Sequence, residues 1–178
     1  MAACASGARP RYLLFWGHRP GPAGQLDQAC LSQWWPAEFV AEGQRFPTAE
    51  HYMMWRKARL FGDGRTASRI LQARSPVEAK ALGREVKSFD ESVWVAHRWD
   101  VVVSGSLAKF DSAPDLRRFL AATGDRVLVE ASPVDRIWGI GVAADNEAAQ
   151  DPKRWRGLNL LGFALMEARA TLQGTGVD

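Results

Sequence analysis

Signals that start helices recur along this chain too closely for long strands to fit between them. Thr48 stands before an apolar-periodic stretch with Glu50 in its first turn, and its hydroxyl suits it to accept a backbone N–H as an N-cap. Ser75-Pro76-Val77-Glu78 is a capping box with proline at the first helical position. Ser112-Ala113-Pro114-Asp115 opens a further helix that ends near Gly124. Asn159 precedes a last helix, to about Leu172, with Leu161, Leu165, Ala168 and Leu172 on one face. A short helix is expected around Ala67 to Ala73 and a longer one from about Glu91 to Ala108.

What remains for strands is short. Tyr12 to Trp16 is an apolar run, and Phe39-Val40 and Arg45-Phe46 flank Glu42-Gly43 as the arms of a hairpin would. Arg126 to Ala131 is rich in Val and Leu. Ile137 to Val142 reads as a second short strand, interrupted by Gly139 and Gly141. Residues 18–24 and 143–156 read as loop. The pattern predicts an α+β fold, a mainly helical single domain over residues 12–173 with a small sheet of short strands. Residues 1–11 read as a disordered lead-in and 174–178 as a tail.

Composition narrows the function. The 178 residues are 47% hydrophobic and 24% charged, as in a globular domain. No run of about 18 apolar residues exists to cross a membrane. Met1 to Pro10 lacks the basic start and apolar middle of a signal peptide, so a cytoplasmic place and no membrane partner are expected. The two cysteines, Cys4 and Cys30, form no CxxC, and His18, His51 and His97 show no HExxH spacing. Neither a disulfide framework nor a metal site is expected. The net charge of +3 is dispersed singly among acids, without the basic track of a dedicated nucleic-acid binder. Eight tryptophans are many for this length, and suit a core of aromatic slabs or a pocket that stacks flat rings.

Four clusters could carry chemistry. Glu50, in the first turn of a helix, feels the positive end of the dipole; it either caps that helix or serves as a base in a cleft. Glu130-Ala-Ser-Pro-Val-Asp135-Arg136-Ile-Trp138-Gly139-Ile-Gly141 gathers two acids, a base, an indole and two glycines. That is the material of a sugar or nucleotide pocket, or of a tight turn whose amides Asp135 satisfies. Lys109 either complements a helix C-terminus or binds a ligand phosphate. Trp155-Arg156-Gly157-Leu158-Asn159 either caps the last helix or offers its N-terminus to an anion.

Taken together these segments resemble the YbiA-like, or NADAR, family. Phe15-Trp16-Gly17, Leu31-Ser32-Gln33-Trp34-Trp35-Pro36 and Pro47-Thr48-Ala49-Glu50-His51-Tyr52-Met53-Met54 resemble its opening. Lys57-Ala58 and Gly62-Asp63 continue it. Gly105-Ser106-Leu107-Ala108-Lys109-Phe110 resembles its central motif, and Leu128 to Gly141 and Trp155 to Gly162 its later ones. The resemblance runs in order over roughly residues 12 to 172. Two departures stand out: Gln33-Trp34 where the family often has Asn-Phe, and Ser106 where Asn is common.

The resemblance implies an N-glycosidase. The substrates it implies are phosphorylated ribosylamino-pyrimidine intermediates of riboflavin biosynthesis or, alternatively, ADP-ribose linked to guanine, with nucleic acid a partner only as the modified substrate. A third reading is a non-catalytic module that binds nucleotide or ADP-ribose. Glu50 and Asp135 are the implied catalytic acids, and Trp99, Lys109, Glu130, Arg136, Trp138 and Asn159 the implied substrate-binding residues. The expected reaction passes through an oxocarbenium-like ribosyl cation, with one carboxylate polarising water, and needs no cofactor or metal.

Overall fold

The computed structural model describes residues 10–19, 21 and 26–174. Most of the expected lead-in, part of the 18–24 loop and nearly all of the tail lie outside these residues. β1 (Tyr12–Phe15) pairs in parallel with β4 (Val127–Glu130), Tyr12 opposite Val127 and Phe15 opposite Glu130. A parallel pair requires a crossover, and here every α-helix but the last lies within it. β2 (Phe39–Ala41) and β3 (Gln44–Phe46) form the expected antiparallel hairpin. Glu42 and Gly43 between them have φ of +51° and +73°, the backbone that a two-residue type I′ turn demands.

Six helices form: α1 (Ala49–Leu60), α2 (Gly64–Leu71), α3 (Pro76–Arg84), α4 (Glu91–Asp111), α5 (Pro114–Ala122), which starts at Pro114 without a side-chain cap, and α6 (Leu160–Gly174). Thr48 accepts the His51 N–H and Ser75 the Glu78 N–H, as read from the sequence. α2 begins three residues before the expected Ala67. Gly62-Asp63-Gly64 is both a stop and a start: Gly62 takes φ +70°, and Asp63 Oδ1 accepts the Thr66 N–H. α1 is the central helix, buried on nearly every side from Ala49 to Trp55, and it packs against α2, α3 and α4. α6 packs against both α4 and β4. The fold is thus α+β, with a helical core and two two-stranded sheets.

The strand expected over Ile137 to Val142 does not form. The carbonyls of Ile137, Trp138, Gly139 and Ile140 instead accept the N–H groups of Leu160, Leu161, Asn159 and Arg156. Gly141, at φ +65°, turns the chain out of an extended path. Residues 137–141 and 156–161 are therefore laced backbone to backbone, with no strand ladder for either. The 143–156 segment contains two short 3-10 turns, Glu147–Gln150 and Pro152–Arg154, capped by the side chains of Asn146 and Asp151.

Candidate active site

A cavity of about 510 Å³ opens where α1, α3, the residues just after β1, the Ser32–Trp34 segment and the turn after β4 meet. Three acids line it: Glu50 from α1, Glu130 from the end of β4 and Asp135 from the turn. Glu50 does not cap its helix, since Thr48 does that. Its side chain is nearly enclosed, the residue only 3% exposed, and Oε1 has no hydrogen-bond partner. Burial pushes this carboxyl up to about 7; Asp135 adds to the rise, and Lys80, the Trp34 indole N–H and Arg84 oppose it. Glu130 Oε2 is also buried without a partner. Burial, then the charges of Asp135 and Glu50, push Glu130 up to about 8 against the pull of Lys80.

Asp135 does both things its sequence context offered. Its Oδ1 accepts the N–H groups of Ile137 and Trp138, each at 2.8 Å, while Oδ2 stays out of these bonds on a residue that lines the cavity. The turn is built without slack. A Cβ on Gly139 would stand 2.8 Å from the Glu130 carbonyl, and one on Gly157 only 2.3 Å from the Gly139 carbonyl. These glycines admit neighbouring backbone, not a ligand.

Trp138 joins the acids in the cavity wall. Four other expected site residues stand elsewhere. Trp99 is half-buried against the main core. Arg136 is exposed outside the cavity lining. Lys109 is fully enclosed, 1% exposed, and its Nζ donates to the carbonyls of Cys30 (2.6 Å) and Ser32 (2.7 Å). Burial pushes its ammonium down to about 7. Lys109 thus clamps the segment that presents Gln33 and Trp34 to the cavity. Asn159 lies behind β4, with Oδ1 accepting the Glu130 N–H and Nδ2 donating to the Leu128 carbonyl. The first amides of α6, at Leu160 and Leu161, are spent on the carbonyls of Ile137 and Trp138. The first two amides of that helix are therefore not offered to an anion.

The cavity's cations are Lys57, Lys80 and Arg84, none of them singled out from the sequence. Lys80 and Arg84 share a face of α3 at i, i+4 spacing, a signal that was present but ordinary for a solvated helix. Lys57 is engaged, donating to the Gly83 carbonyl at 2.9 Å and lying 4.0 Å over the Phe89 ring. At the mouth Trp16 is 60% exposed and Val134 85%, and His18 and Trp34 face one another with ring centroids 5.5 Å apart. Among the described residues no group of three His, Cys, Asp or Glu side chains is arranged to hold a metal ion.

Comparison with known proteins agrees with this geometry. A family model described as the NADAR domain matches residues 14–173. The chain belongs to the NADAR domain family. Within that family it is similar to N-glycosidase R617 of Acanthamoeba polyphaga mimivirus, 39% identical over 164 residues, which cover 89% of this chain and 95% of the relative. It is also similar to the chloroplastic riboflavin biosynthesis protein PYRR of Zea mays, 37% identical over 138 residues, 73% of this chain but 20% of that longer protein. The solved NMR structure of the Escherichia coli protein YbiA superposes with a TM-score of 0.73 at 25% identity, covering 96% of this chain and 91% of YbiA. NADAR relatives bear the name N-glycosidase, and this chain is an enzyme of that class, a hydrolase acting on N-glycosyl compounds. Among the described residues no helix is long and apolar enough to cross a membrane.

Proposed function

We propose that the protein hydrolyses the ribosyl–nitrogen bond of phosphorylated ribosylamino-pyrimidine intermediates of riboflavin biosynthesis. One observation carries the reading. Two buried carboxylate oxygens without partners, Glu50 Oε1 and Glu130 Oε2, share a cavity with the side chains of Lys80, which lies 5.7 Å over the Trp34 ring, and Arg84. Acceptors of this kind suit a water, an amine and a sugar cation; the cations suit a phosphate. The maize relative named for riboflavin biosynthesis supports this substrate class.

In this reading C1 of the ribose develops positive charge as its bond to nitrogen opens. Glu50, with a carboxyl near neutrality, takes the proton of the attacking water, since a base works best when its pKa lies close to the working pH. Asp135, held by two turn amides, faces the developing cation. Lys80 and Arg84 hold the phosphate, the role that Lys109 and Arg136 were expected to fill. Trp138, with Trp16 and Trp34, offers flat surfaces to the base, where Trp99 was expected to help. Lys109 and Asn159 support the pocket from the core.

A second reading is hydrolysis of ADP-ribose from guanine. The exposed Trp16 and Val134 favour it, because they extend an apolar rim beyond what a ribose phosphate fills. Chromatographic assays of the protein beside E50Q, on a phosphoribosylamino-pyrimidine and on a guanine-linked ADP-ribose, decide. Release of ribose 5-phosphate from the first, lost in E50Q, is the expected result. Release of ADP-ribose alone would move the reading to the second substrate, and release from neither would leave a binding module.

A further inference from the structure

Glu130 is the least compensated of the three acids. Its backbone is fixed on both sides: the N–H donates to Asn159 Oδ1 at 2.9 Å, and the C=O accepts the Ile140 N–H at 2.9 Å. Its side chain, by contrast, has a buried oxygen without a partner, and no ion pair among the described residues reaches it. The charged groups around it are Asp135 from the turn, Glu50 from α1 and Lys80 from α3. Two acids against one cation, around a half-buried side chain with one oxygen shut off from water, make the ionised form costly and leave a carboxyl O–H as the stable form. Asp135 is tied to its own turn, its Oδ1 accepting two N–H groups.

We propose that Glu130 is the catalytic acid of the N-glycoside hydrolysis set out above, a reading on which this inference rests. The Glu130 carboxyl proton passes to the leaving nitrogen as the C1–N bond breaks and its electron pair moves to nitrogen. The water oxygen bonds to C1 and gives one proton to Glu50. The bonds lost are C1–N, the Glu130 O–H and one water O–H. The bonds gained are C1–O, N–H and a Glu50 O–H. The turnover ends with the proton on Glu50 instead of Glu130, and exchange with solvent restores the starting state. Asp135 is left to face the sugar cation. The residue at the end of β4 is then not a sugar ligand but the group that makes an amine able to leave.

The test is E130Q assayed beside wild type and E50Q on the amine-linked substrate that wild type cleaves. A positioned general acid contributes roughly 100-fold or more, so kcat is expected to fall by at least that factor with KM little changed. The alkaline limb of the kcat/KM profile is expected to vanish in E130Q and to persist, shifted, in E130D. A merely structural role would raise KM, lower thermal stability and leave that limb in place. E130Q turning over at the wild-type rate, or keeping the alkaline limb, overturns the assignment. Should E130Q fail to fold, E130D decides: loss of the limb in that variant overturns it as well. Wild type without N-glycoside cleavage sinks the reaction itself, whereas an active E130Q beside an inactive E50Q sinks only the acid role.

Discussion

Asn159 completes the edge of strand β4 that β1 does not reach: its Oδ1 accepts the Glu130 N–H and its Nδ2 donates to the Leu128 carbonyl, both at 2.9 Å. One fully buried amide thus stands in for a missing third strand, and Asn159 adopts φ +53° to do so. Replacing it by alanine leaves both backbone groups unpaired in the interior. At about 1–3 kcal/mol for each such group, N159A is expected to lose about 2–6 kcal/mol of stability, measured by denaturant unfolding. Its kcat is expected to fall too, because Glu130 loses the bond that fixes its main chain.

In the proposed mechanism the two raised carboxyls set the pH dependence of the reaction. The base, Glu50, must be ionised, so activity rises with pH through about 7. The acid, Glu130, must be protonated, so activity falls as pH passes about 8. A bell-shaped kcat/KM profile with its maximum between these values is expected, and its two limbs belong to the coupled pair. A profile flat across that window would contradict both assignments.

The same shifts make the site a burden on the fold. A carboxyl raised above its unfolded value favours folding fully only below the unfolded pKa, near 4.5 for Glu, where both states hold the proton. As pH rises from there toward about 8, the unfolded chain ionises first and stability drains away. Glutamine removes this penalty without changing the shape. E130Q is therefore expected to melt higher than wild type at pH 8 and to show no such gain at pH 4. A stabilisation on the order of 1 kcal/mol raises Tm by roughly 2–4 °C in a chain this size, well within reach of calorimetry.

Lys109 acts through the segment it holds. K109M keeps the length of the side chain and removes every donor, so the Cys30 carbonyl loses its partner and the Ser32 carbonyl keeps only the Trp35 N–H. A cost of about 1–3 kcal/mol is expected from the unmet acceptor, offset in part by removal of a buried charge. With Gln33 and Trp34 loosened, affinity is expected to fall equally for ligands with and without a phosphate, read by calorimetric titration. A loss confined to phosphorylated ligands would instead make Lys109 the phosphate ligand that its place in the sequence suggested.

Much of the fold was legible because its helices announce themselves locally. Thr48, Ser75 and the Glu42-Gly43 turn act within a few residues, and each performs as read. The errors fell where long-range backbone bonding overrode local pattern. Ile137 to Val142 has the composition of a strand, but its carbonyls answer to residues 156–161, and nothing within the segment signals that partner. In the same way Glu50, Glu130, Asp135 and Trp138 could be gathered from motif alone, since acids and an indole in these contexts suit a pocket. Lys80 and Arg84 could not, because a cation on a helix beside solvent looks the same whether or not a cavity lies under it. Lys109 and Asn159 were legible as important and not as supports, because burial is a property of the assembled fold.

The lacing of residues 137–141 to residues 156–161 bears on the order in which the protein can become an enzyme. Synthesis delivers α1, α3 and β4 with their acids long before α6 emerges. Until Asn159, Leu160 and Leu161 leave the ribosome, the carbonyls of Ile137, Trp138 and Gly139 lack the amides that hold them, and β4 has no second neighbour. A nascent chain that stops short of α6 carries all three acids without the backbone that sets them, so the proposed site can form only after α6 has emerged.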